Sequence, residues 1–390
     1  MTIGEAILRS NPRYELVLLD RLGQEERDLL AEDGDDRAAP YGVLRATEGN
    51  ALAARAVSAD TALLFLTLQQ PGRCPEYVRR GLGDRLASTL GGLVMDEILE
   101  VESEDGFRSG WAGWAPLASA RQAGDGGRTG ELSQEALRHG QALLSLADVP
   151  AELLAARLYM YGRQPLTPRA RRRMPSEEAV AHHLGLDSVA VRPALRSAWR
   201  ESPPRDGSPW RNWNPRRAMA GQRRVTFKLY VSAAIDSLPA TFAAVVTGLA
   251  EARGVVGFKV ARSVEGLARP DKLVAYFDSL DTLHEGAGLI AERANGWQPH
   301  GVPFTAAVTR DGILSWAIDP PSTHGSGPTG RASWRSWVTG RLADHLISAG
   351  SGGADGVEPY QIALARLALD GVDPVTWTPD PEIFDYAAAG

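Results

Sequence analysis

The chain has 390 residues, of which 44% are hydrophobic and 23% charged, and a formal net charge of −6 at pH 7. This composition fits an ordinary globular protein with room for two or three domains, and so small a net charge argues against a general nucleic-acid coat protein. The single cysteine, Cys74, excludes an intramolecular disulfide and a cysteine-rich metal site. With no signal-peptide pattern and no apolar run of about 18 residues, we expect a cytoplasmic protein that does not enter a membrane.

The N-terminal part shows the element order of a small winged-helix domain. The apolar segment 61–68 is typical of a buried strand or a short helix, and residues 75–99 have apolar side chains at helical spacing. A strand and a turn follow at 99–107, as in a two-stranded wing. We therefore predict a winged-helix-like domain over residues 1–115.

Residues 116–220 are predicted to form a helical middle region that ends in a connector rich in Trp, Pro and Arg. The segment 199–221 contains four Pro and three Trp, which favours an irregular connector that packs on something. From Arg163 to Arg224 there are 14 Arg against five acidic residues. This excess could attract a phosphate-bearing or acidic partner, or it could be a solvated face that pairs with the acidic N-terminal third.

Residues 221–390 alternate strand and helix patterns, which predicts an α+β fold with a C-terminal domain built on a mixed sheet. Strands are predicted at 224–233, 255–262 and 271–279, helices at 238–252, 281–294, 333–349 and 358–371, and a hairpin from 302–309 and 312–318. In the hairpin, Asp311-Gly312 favours a tight turn.

Lysine is confined to this last domain: Lys228, Lys259 and Lys272 are the three lysines, and every other basic side chain is an arginine. Arginine cannot readily lose its proton, whereas a partly buried lysine can act as a base. Lys228 and Lys259 each follow a Phe in strand text, so if both Phe side chains face the core, both lysines line the opposite face. The clustering predicts amine chemistry here, although lysine depletion in a GC-rich genome would leave the same distribution.

Several arginines join the lysines. Arg269 and Lys272 flank the start of the third strand, and Arg331 and Arg335 begin a later helix. Arginine can bind a phosphate through two N–H groups, and cationic neighbours lower the pKa of a lysine, so this set suits a phosphorylated substrate. The alternatives are a surface ion pair for Lys272 and stacking on tryptophans for Arg331 and Arg335.

Residues 221–345 resemble the type III effector phosphothreonine lyases. The resemblance lies in the strand sequence VTFKLYVS, the helix after it and the following sequence GFKVARSVEGLARPDKLVAYF. The resemblance is closer still to the effector-like lyase subunits of class V lanthipeptide and thioamitide biosynthesis. In that family a strand lysine is followed by a second lysine and soon by an arginine, an order matched here by Lys228, Lys259 and Arg269. Arg331 and Arg335 fall where the family places further phosphate-binding arginines.

The resemblance implies a phospholyase that converts phosphoserine or phosphothreonine of a precursor peptide to dehydroalanine or dehydrobutyrine without a metal or other cofactor. It implies Lys259 as the base, with Lys228 in a catalytic role. The implied phosphate ligands are Arg269, Lys272, Arg331 and Arg335. The family carries Lys-x-His on its first strand, whereas this chain has Tyr230 in place of that His. The candidates for the general acid are therefore Tyr230, His300 and His324.

The same resemblance implies a phosphorylated precursor peptide, a separate Ser/Thr kinase and a cyclase as partners. Residues 1–115 would then recognise a leader peptide by adding it as a strand to a sheet edge. One alternative is a non-catalytic subunit that binds a phosphopeptide or the leader. Another is an Arg-rich nucleic-acid binder through residues 163–224, which predicts a steep salt dependence of oligonucleotide affinity.

Overall fold

The fold was analysed in a computed structural model. It describes residues 2–24, 27, 40–50, 52–118, 125–203, 207–216, 226–294, 296–320, 326–327, 330–331, 333–351, 356–384 and 386. The described residues form two compact units. The first lies within residues 1–122, 321–332 and 352–371, and the second within 123–320, 333–351 and 372–390. Both contain helices and antiparallel sheets, so the α+β class is confirmed, while the division at residues 115 and 220 stays a prediction.

The elements are numbered in chain order. The helices are α1 (Ala59–Thr67), α2 (Glu76–Leu82), α3 (Leu86–Met95), α4 (Gly110–Trp114), α5 (Gly127–Leu146), α6 (Ala151–Met160), α7 (Pro168–Arg173), α8 (Glu177–His183), α9 (Arg192–Ala198), α10 (Leu238–Glu251), α11 (Val264–Leu267), α12 (Leu280–Ala291), α13 (Trp334–Ser351) and α14 (Pro359–Leu369). The strands are β1 (Ile7–Ser10), β2 (Tyr14–Leu18), β3 (Gly42–Ala46), β4 (Arg55–Val57), β5 (Gly72–Arg73), β6 (Leu99–Ser103), β7 (Gly106–Arg108), β8 (Trp199–Glu201), β9 (Trp210–Pro215), β10 (Phe227–Val231), β11 (Val255–Ala261), β12 (Leu273–Phe277), β13 (Ala306–Ala307), β14 (Leu314–Ile318), β15 (Ser326–Gly327) and β16 (Gly330–Arg331).

The first unit contains an antiparallel sheet in the order β5-β1-β6-β7, a second one in the order β2-β3-β4, and the short pair β15-β16. Leu8, Leu44, Phe65 and Leu90 lie in its apolar core. The segment 61–68 is helical, because the Ser58 side chain caps α1 and apolar side chains recur on its buried face. The helices and the β6–β7 hairpin follow in the predicted order, and their assignment as a winged helix stays a prediction.

The second unit is built on a seven-stranded sheet in the order β13-β14-β10-β12-β11-β9-β8. Every neighbouring pair is antiparallel, so the predicted mixed sheet is wrong. β10 and β11 are joined by a helix, which predicts parallel neighbours. Instead β12 lies between them and pairs with both in the antiparallel sense. The predicted hairpin of β13 and β14 is confirmed, with Ala306 opposite Trp316.

The predicted irregular connector at 199–221 is partly wrong, because it supplies β8 and β9 to one edge of this sheet. The prediction that it packs on something is confirmed. The rings of Trp199 and Trp213 each lie 4.9 Å from the Phe258 ring, between centroids. These aromatic contacts stabilise two short strands whose proline content hides the strand pattern.

Helices α10 and α12 pack together, and Phe242 of α10 lies over Phe258. Phe227 and Phe258 are both 1% exposed. Since side chains alternate along a strand, Lys228 and Lys259 point to the face opposite these phenylalanines. On that side α13 packs against α6. Among the described residues, no helix combines the length and the apolarity needed to cross a membrane.

Candidate active site

A cavity of about 340 Å³ lies in the second unit where three strands of the sheet meet α6, β9 and the start of α13. It is lined by Tyr159, Trp210, Lys228, Tyr230, Lys259, Arg269, Asp271, Val274, Tyr276, Ser333 and Arg335. We call it the lysine pocket. The strand lysines thus line one concave surface, as their alternation with phenylalanine predicts.

Lys259 is the most chemically available amine of the lysine pocket. Its Nζ lies 4.2 Å from the centroid of the Trp210 ring and 5.6 Å from that of the Tyr276 ring. It forms no ion pair within the described part of the chain. Burial, reinforced by the positive charge of Lys228, lowers the pKa of Lys259 from 10.5 to about 8. The neutral amine is therefore accessible near physiological pH.

Lys228 is held differently. Its Nζ pairs with the carboxylate of Asp319 and lies 5.9 Å from the centroid of the Tyr276 ring that Lys259 also faces. Asp319 Oδ1 in turn accepts a 3.2 Å hydrogen bond from the backbone N–H of Trp334, the first residue of α13. Asp319 thus fixes the ammonium of Lys228 and the beginning of the helix that carries Arg335.

Asp271 organises the cationic side of the pocket. Arg269 donates to both of its carboxylate oxygens at 2.8 Å, and Tyr159 Oη donates to Oδ2 at 2.9 Å. Arg335 Nη1 lies 3.2 Å from the same Oδ2. Burial alone would raise the pKa of Asp271, but the positive charges of Arg335 and Arg269 hold it far below its usual range. Asp271 is therefore a fixed carboxylate rather than a proton donor.

Arg335 leaves one donor unused. Its side chain is 1% exposed, Nη2 donates to the Tyr159 carbonyl at 2.6 Å, and Nε donates to the Pro303 carbonyl. Nη1 has no hydrogen-bond acceptor among the described residues, although it lies near Asp271. A buried donor without an acceptor is costly, and an anion in the pocket would satisfy it. Lys228, Lys259, Arg269 and Arg335 outnumber the carboxylates of Asp271 and Asp319 that pair with them, so the pocket favours an anion.

Tyr230 lines the pocket beside the lysines, as predicted for a residue on the strand of Lys228. Burial, followed by the negative charge of Asp319, raises the pKa of Tyr230 well above its ordinary value. Its phenol therefore keeps its proton and can act as a hydrogen-bond donor. Burial likewise raises the pKa of Tyr276, which keeps the ring beneath both lysines neutral.

The structure does not bring every predicted site residue to the pocket. Lys272 is completely buried, and its Nζ donates to the Ala233 carbonyl at 2.8 Å and contacts His300 Nδ1. Both the predicted phosphate contact and the alternative surface pair are wrong for Lys272, because these groups enclose it. His300 donates a hydrogen bond from Nε2 to the Gly162 carbonyl, and it does not line the pocket.

Two further predicted residues cannot be placed in the pocket. Arg331 belongs to β16, and its side chain lies outside the described atoms. His324 lies outside the described residues. Their predicted roles as phosphate ligand and general acid stay predictions.

Sequence reasoning missed several residues of the pocket. Tyr276 stands opposite Lys228 on β12, and strand alternation could have found it once the pairing was known. Trp210 was counted only as part of a connector. Tyr159 lies at the end of α6, more than a hundred residues before Asp271, and gives no local signal. Asp319 resembles an ordinary turn residue in the text IDPP.

No protein-family model and no curated protein matches the chain. Among solved structures, an effector protein from Pseudomonas syringae pv. syringae strain 61 is 13% identical over 65% of this chain and 98% of that chain, with a TM-score of 0.42. An effector protein from Pseudomonas syringae pv. tomato strain DC3000 is 11% identical over 65% and 99%, with a TM-score of 0.40. A phosphothreonine lyase is 15% identical over 48% and 88%, with a TM-score of 0.28. These similarities are remote.

Proposed function

We propose that this chain is a lyase that eliminates phosphate from phosphoserine or phosphothreonine in a peptide. The observation that carries the proposal is Lys259, an amine with a pKa of about 8 that lies among buried cations and forms no ion pair with the described residues. A general base works best when its pKa lies near the working pH. The surrounding guanidinium and ammonium groups provide the charge that a phosphate dianion requires.

In the proposed reaction the neutral amine of Lys259 removes the α proton of the phosphorylated residue. The electron pair left on Cα forms the double bond to Cβ, and the Cβ–O bond breaks with its electrons going to phosphate. The products are dehydroalanine or dehydrobutyrine, inorganic phosphate and protonated Lys259, which returns its proton to water. Lys228, Arg269 and Arg335 stabilise the charge that grows on the phosphate and on the adjacent carbonyl oxygen.

Tyr230 has a defined part in this scheme. Because its raised pKa keeps the phenol protonated, it donates a hydrogen bond to the departing phosphate oxygen. The cations then carry most of the leaving-group stabilisation. Tyr230→Phe should therefore slow elimination less than loss of Lys259 does.

A second function has one observation in its favour. Within the described lining of the lysine pocket, Tyr230 stands where a general acid is needed, and its pKa is shifted away from neutrality. A pocket that binds phosphate without expelling it would suit a non-catalytic phosphopeptide-binding subunit. We keep this as the alternative.

The wider setting belongs to the same proposal. The sequence resemblance supports a phosphorylated precursor peptide of lanthipeptide-type biosynthesis as substrate, a separate Ser/Thr kinase and a cyclase as partners, and leader recognition by the N-terminal part. The chemistry at the lysine pocket does not depend on this setting, so the two can be tested separately.

The test is mass spectrometry of a phosphoserine and a phosphothreonine peptide incubated with the protein. We expect loss of the elements of phosphoric acid, and a much slower loss in Lys259→Ala and in Lys259→Arg, which keeps the charge but cannot act as a base. Calorimetric titration of the same peptides should show that Lys259→Ala still binds. Binding without any mass loss in the unsubstituted protein would favour the non-catalytic subunit.

A further inference from the structure

A second cavity, of about 630 Å³, lies in the same unit beside α7. Residues Gln164, Thr167, Arg169, Arg173, Ala234 and Asp236 are among those that line it. We call it the arginine groove. It shares no lining residue with the lysine pocket, and the proposed reaction makes no use of it. Its arginines belong to the Arg-rich stretch 163–224, which has no part in the proposed reaction.

The arginines of the groove are available to a ligand. Arg169 and Arg173 are exposed, and neither forms a hydrogen bond or ion pair with the described part of the chain. By contrast, Arg171 on the same helix pairs with Glu265 at 2.8 Å. Asp236 is the acidic member of the lining. The groove therefore presents two unused guanidinium groups at one side of a concave surface.

The groups packed against the groove do not cancel this charge. The Nε2–H of His183 donates to the carbonyl of Ile235, the residue before Asp236. Burial lowers the pKa of His183, so the ring is neutral at neutral pH. The described lining of the groove thus contains one carboxylate, that of Asp236, and the two guanidinium groups of Arg169 and Arg173.

The groove lies within a short peptide's reach of the lysine pocket. Tyr230 lines the pocket and Ala234 lines the groove, and an extended chain of four residues spans at most about 14 Å. The chain from Tyr159 to Gln164 makes the same connection on the other side. A peptide whose phosphorylated residue sits in the pocket would place a residue about four positions away at the groove, since each extended residue adds about 3.3 Å.

We propose that the arginine groove binds acidic side chains of the peptide substrate, about four residues from the phosphorylated one. This inference rests on the proposed phospholyase function and adds a substrate preference to it. Guanidinium groups match carboxylates in shape and charge. A nucleic acid fits less well, because Asp236 would oppose a continuous phosphate backbone and the groove offers only two unpaired cations in its described lining.

The experiment compares two phosphopeptides that differ only in carrying Glu or Gln at the positions four residues before and after the phosphoserine. With the unsubstituted protein we expect a KM about tenfold lower for the Glu peptide, with similar kcat, because two charge-assisted contacts act on binding alone. In Arg169→Gln/Arg173→Gln this preference should disappear. Asp236→Asn should strengthen it.

Arg172→Gln is the matched control, because Arg172 is exposed on the same helix but does not line the groove. It should keep the preference. Circular dichroism of each variant checks that the protein is folded. The inference would be overturned by an equal KM for the two peptides with the unsubstituted protein. It would also be overturned if Arg172→Gln lost the Glu preference as fully as Arg169→Gln/Arg173→Gln.

A binding measurement separates this inference from the proposed reaction. In the Lys259→Ala protein, fluorescence anisotropy of the labelled Glu and Gln peptides reports the groove with little turnover. Absence of phosphate loss in the unsubstituted protein, with a retained Glu preference, would contradict the lyase function but support acidic-peptide binding in the arginine groove. Phosphate loss without a Glu preference would do the reverse. If an oligonucleotide displaces the Glu peptide and binds more tightly than it, the acidic-peptide assignment is wrong.

Discussion

Lys259 differs from an ordinary surface lysine in what surrounds it. Burial and the ammonium of Lys228 disfavour its protonated form, and no carboxylate among the described residues pairs with it. The cationic neighbours that would bind phosphate are therefore also those that prepare the base. Binding and proton abstraction depend on the same side chains.

The first prediction concerns the pH dependence of elimination. The reaction needs neutral Lys259, so kcat/KM should rise about tenfold per pH unit below the pKa of about 8 and level off above it. Lys259→Ala should lower the rate by a factor of about 10² to 10⁴ and remove this limb. Initial rates of phosphate release between pH 6 and 10, at constant ionic strength, measure the profile. A rate independent of pH across this range would rule Lys259 out as the base.

At the scale of single residues, the sequence predicted the face of the sheet to which a side chain points, because this depends only on neighbours along one strand. Alternation placed Lys228 and Lys259 on the face opposite Phe227 and Phe258, and the structure has them there. It could not predict that Lys272 is enclosed. The atoms that cover it belong to His300 and Ala233, and strand text carries no information on which distant residue covers a side chain.

At the scale of secondary-structure elements, Asp271 is the side chain that links a strand of the sheet to two helices. It lies two residues before β12 and connects to α6 through Tyr159 and to α13 through Arg335. A carboxylate bound by two guanidinium groups in the interior leaves both cations uncompensated if it is removed. Asp271 therefore contributes to the packing of both helices around the lysine pocket, beside the direct bond of Arg335 to the Tyr159 carbonyl.

We predict that Asp271→Asn lowers the free energy of unfolding by about 3 kcal/mol, since it leaves Arg335 buried with a weaker partner. Urea denaturation followed by tryptophan fluorescence measures the change. The control is Glu285→Gln, which breaks an exposed pair with Arg253 and should cost less than about 1 kcal/mol. A loss no larger for Asp271→Asn than for this control would show that the contacts of Asp271 do not stabilise the fold.

A third prediction concerns the enclosed pair of Lys272 and His300. Burial lowers the pKa of Lys272 from 10.5 to about 7 and that of His300 from 6.5 to about 4. Between each pair of values the unfolded chain holds more protons than the folded one, so stability rises with pH. We expect it to increase from pH 4 to 6.5 through His300 and from pH 7 to 10.5 through Lys272.

Lys272→Met tests this directly, because methionine fills similar space and does not titrate. The increase in unfolding free energy between pH 7 and 10 should shrink by up to about 1.4 kcal/mol per pH unit relative to the unsubstituted protein. Arg172→Met, which removes an exposed cation, should leave the slope unchanged. Parallel curves for Lys272→Met and the unsubstituted protein would contradict the lowered pKa of Lys272.

The elements themselves were largely predictable, and their pairing was not. Hydrophobic periodicity located β10, β11, β12 and their helices because local pattern determines element type. The position of β12 between β10 and β11 follows from tertiary packing, which no local pattern specifies. The strand β9 and the edge strand β8 were missed because prolines interrupt a segment whose tryptophans pack on Phe258.

At the scale of the whole molecule, each of the two units is built from segments that are far apart in the sequence. Helix α14 comes late in the sequence, yet it belongs to the first unit together with residues 1–122. Arg366 of α14 donates to the Met95 carbonyl at 2.6 Å and to Asp96 Oδ1 at 2.7 Å, at the C-terminal end of α3. Gly91 of α3 leaves room for Leu369, since a Cβ there would meet its side chain at 2.7 Å. The first unit is therefore discontinuous in sequence.

This discontinuity predicts that a fragment of residues 1–122 is incompletely folded alone, because it leaves the apolar face of α3 and the carbonyl of Met95 without α14. Its thermal transition, followed by circular dichroism, should be broad and should sharpen and move upward when a peptide of residues 356–371 is added. The same peptide with Arg366→Glu should have a smaller effect, since its carboxylate would face Asp96. A fragment that unfolds in one sharp transition, unaffected by either peptide, would mean that residues 1–122 form their core without the returning helix.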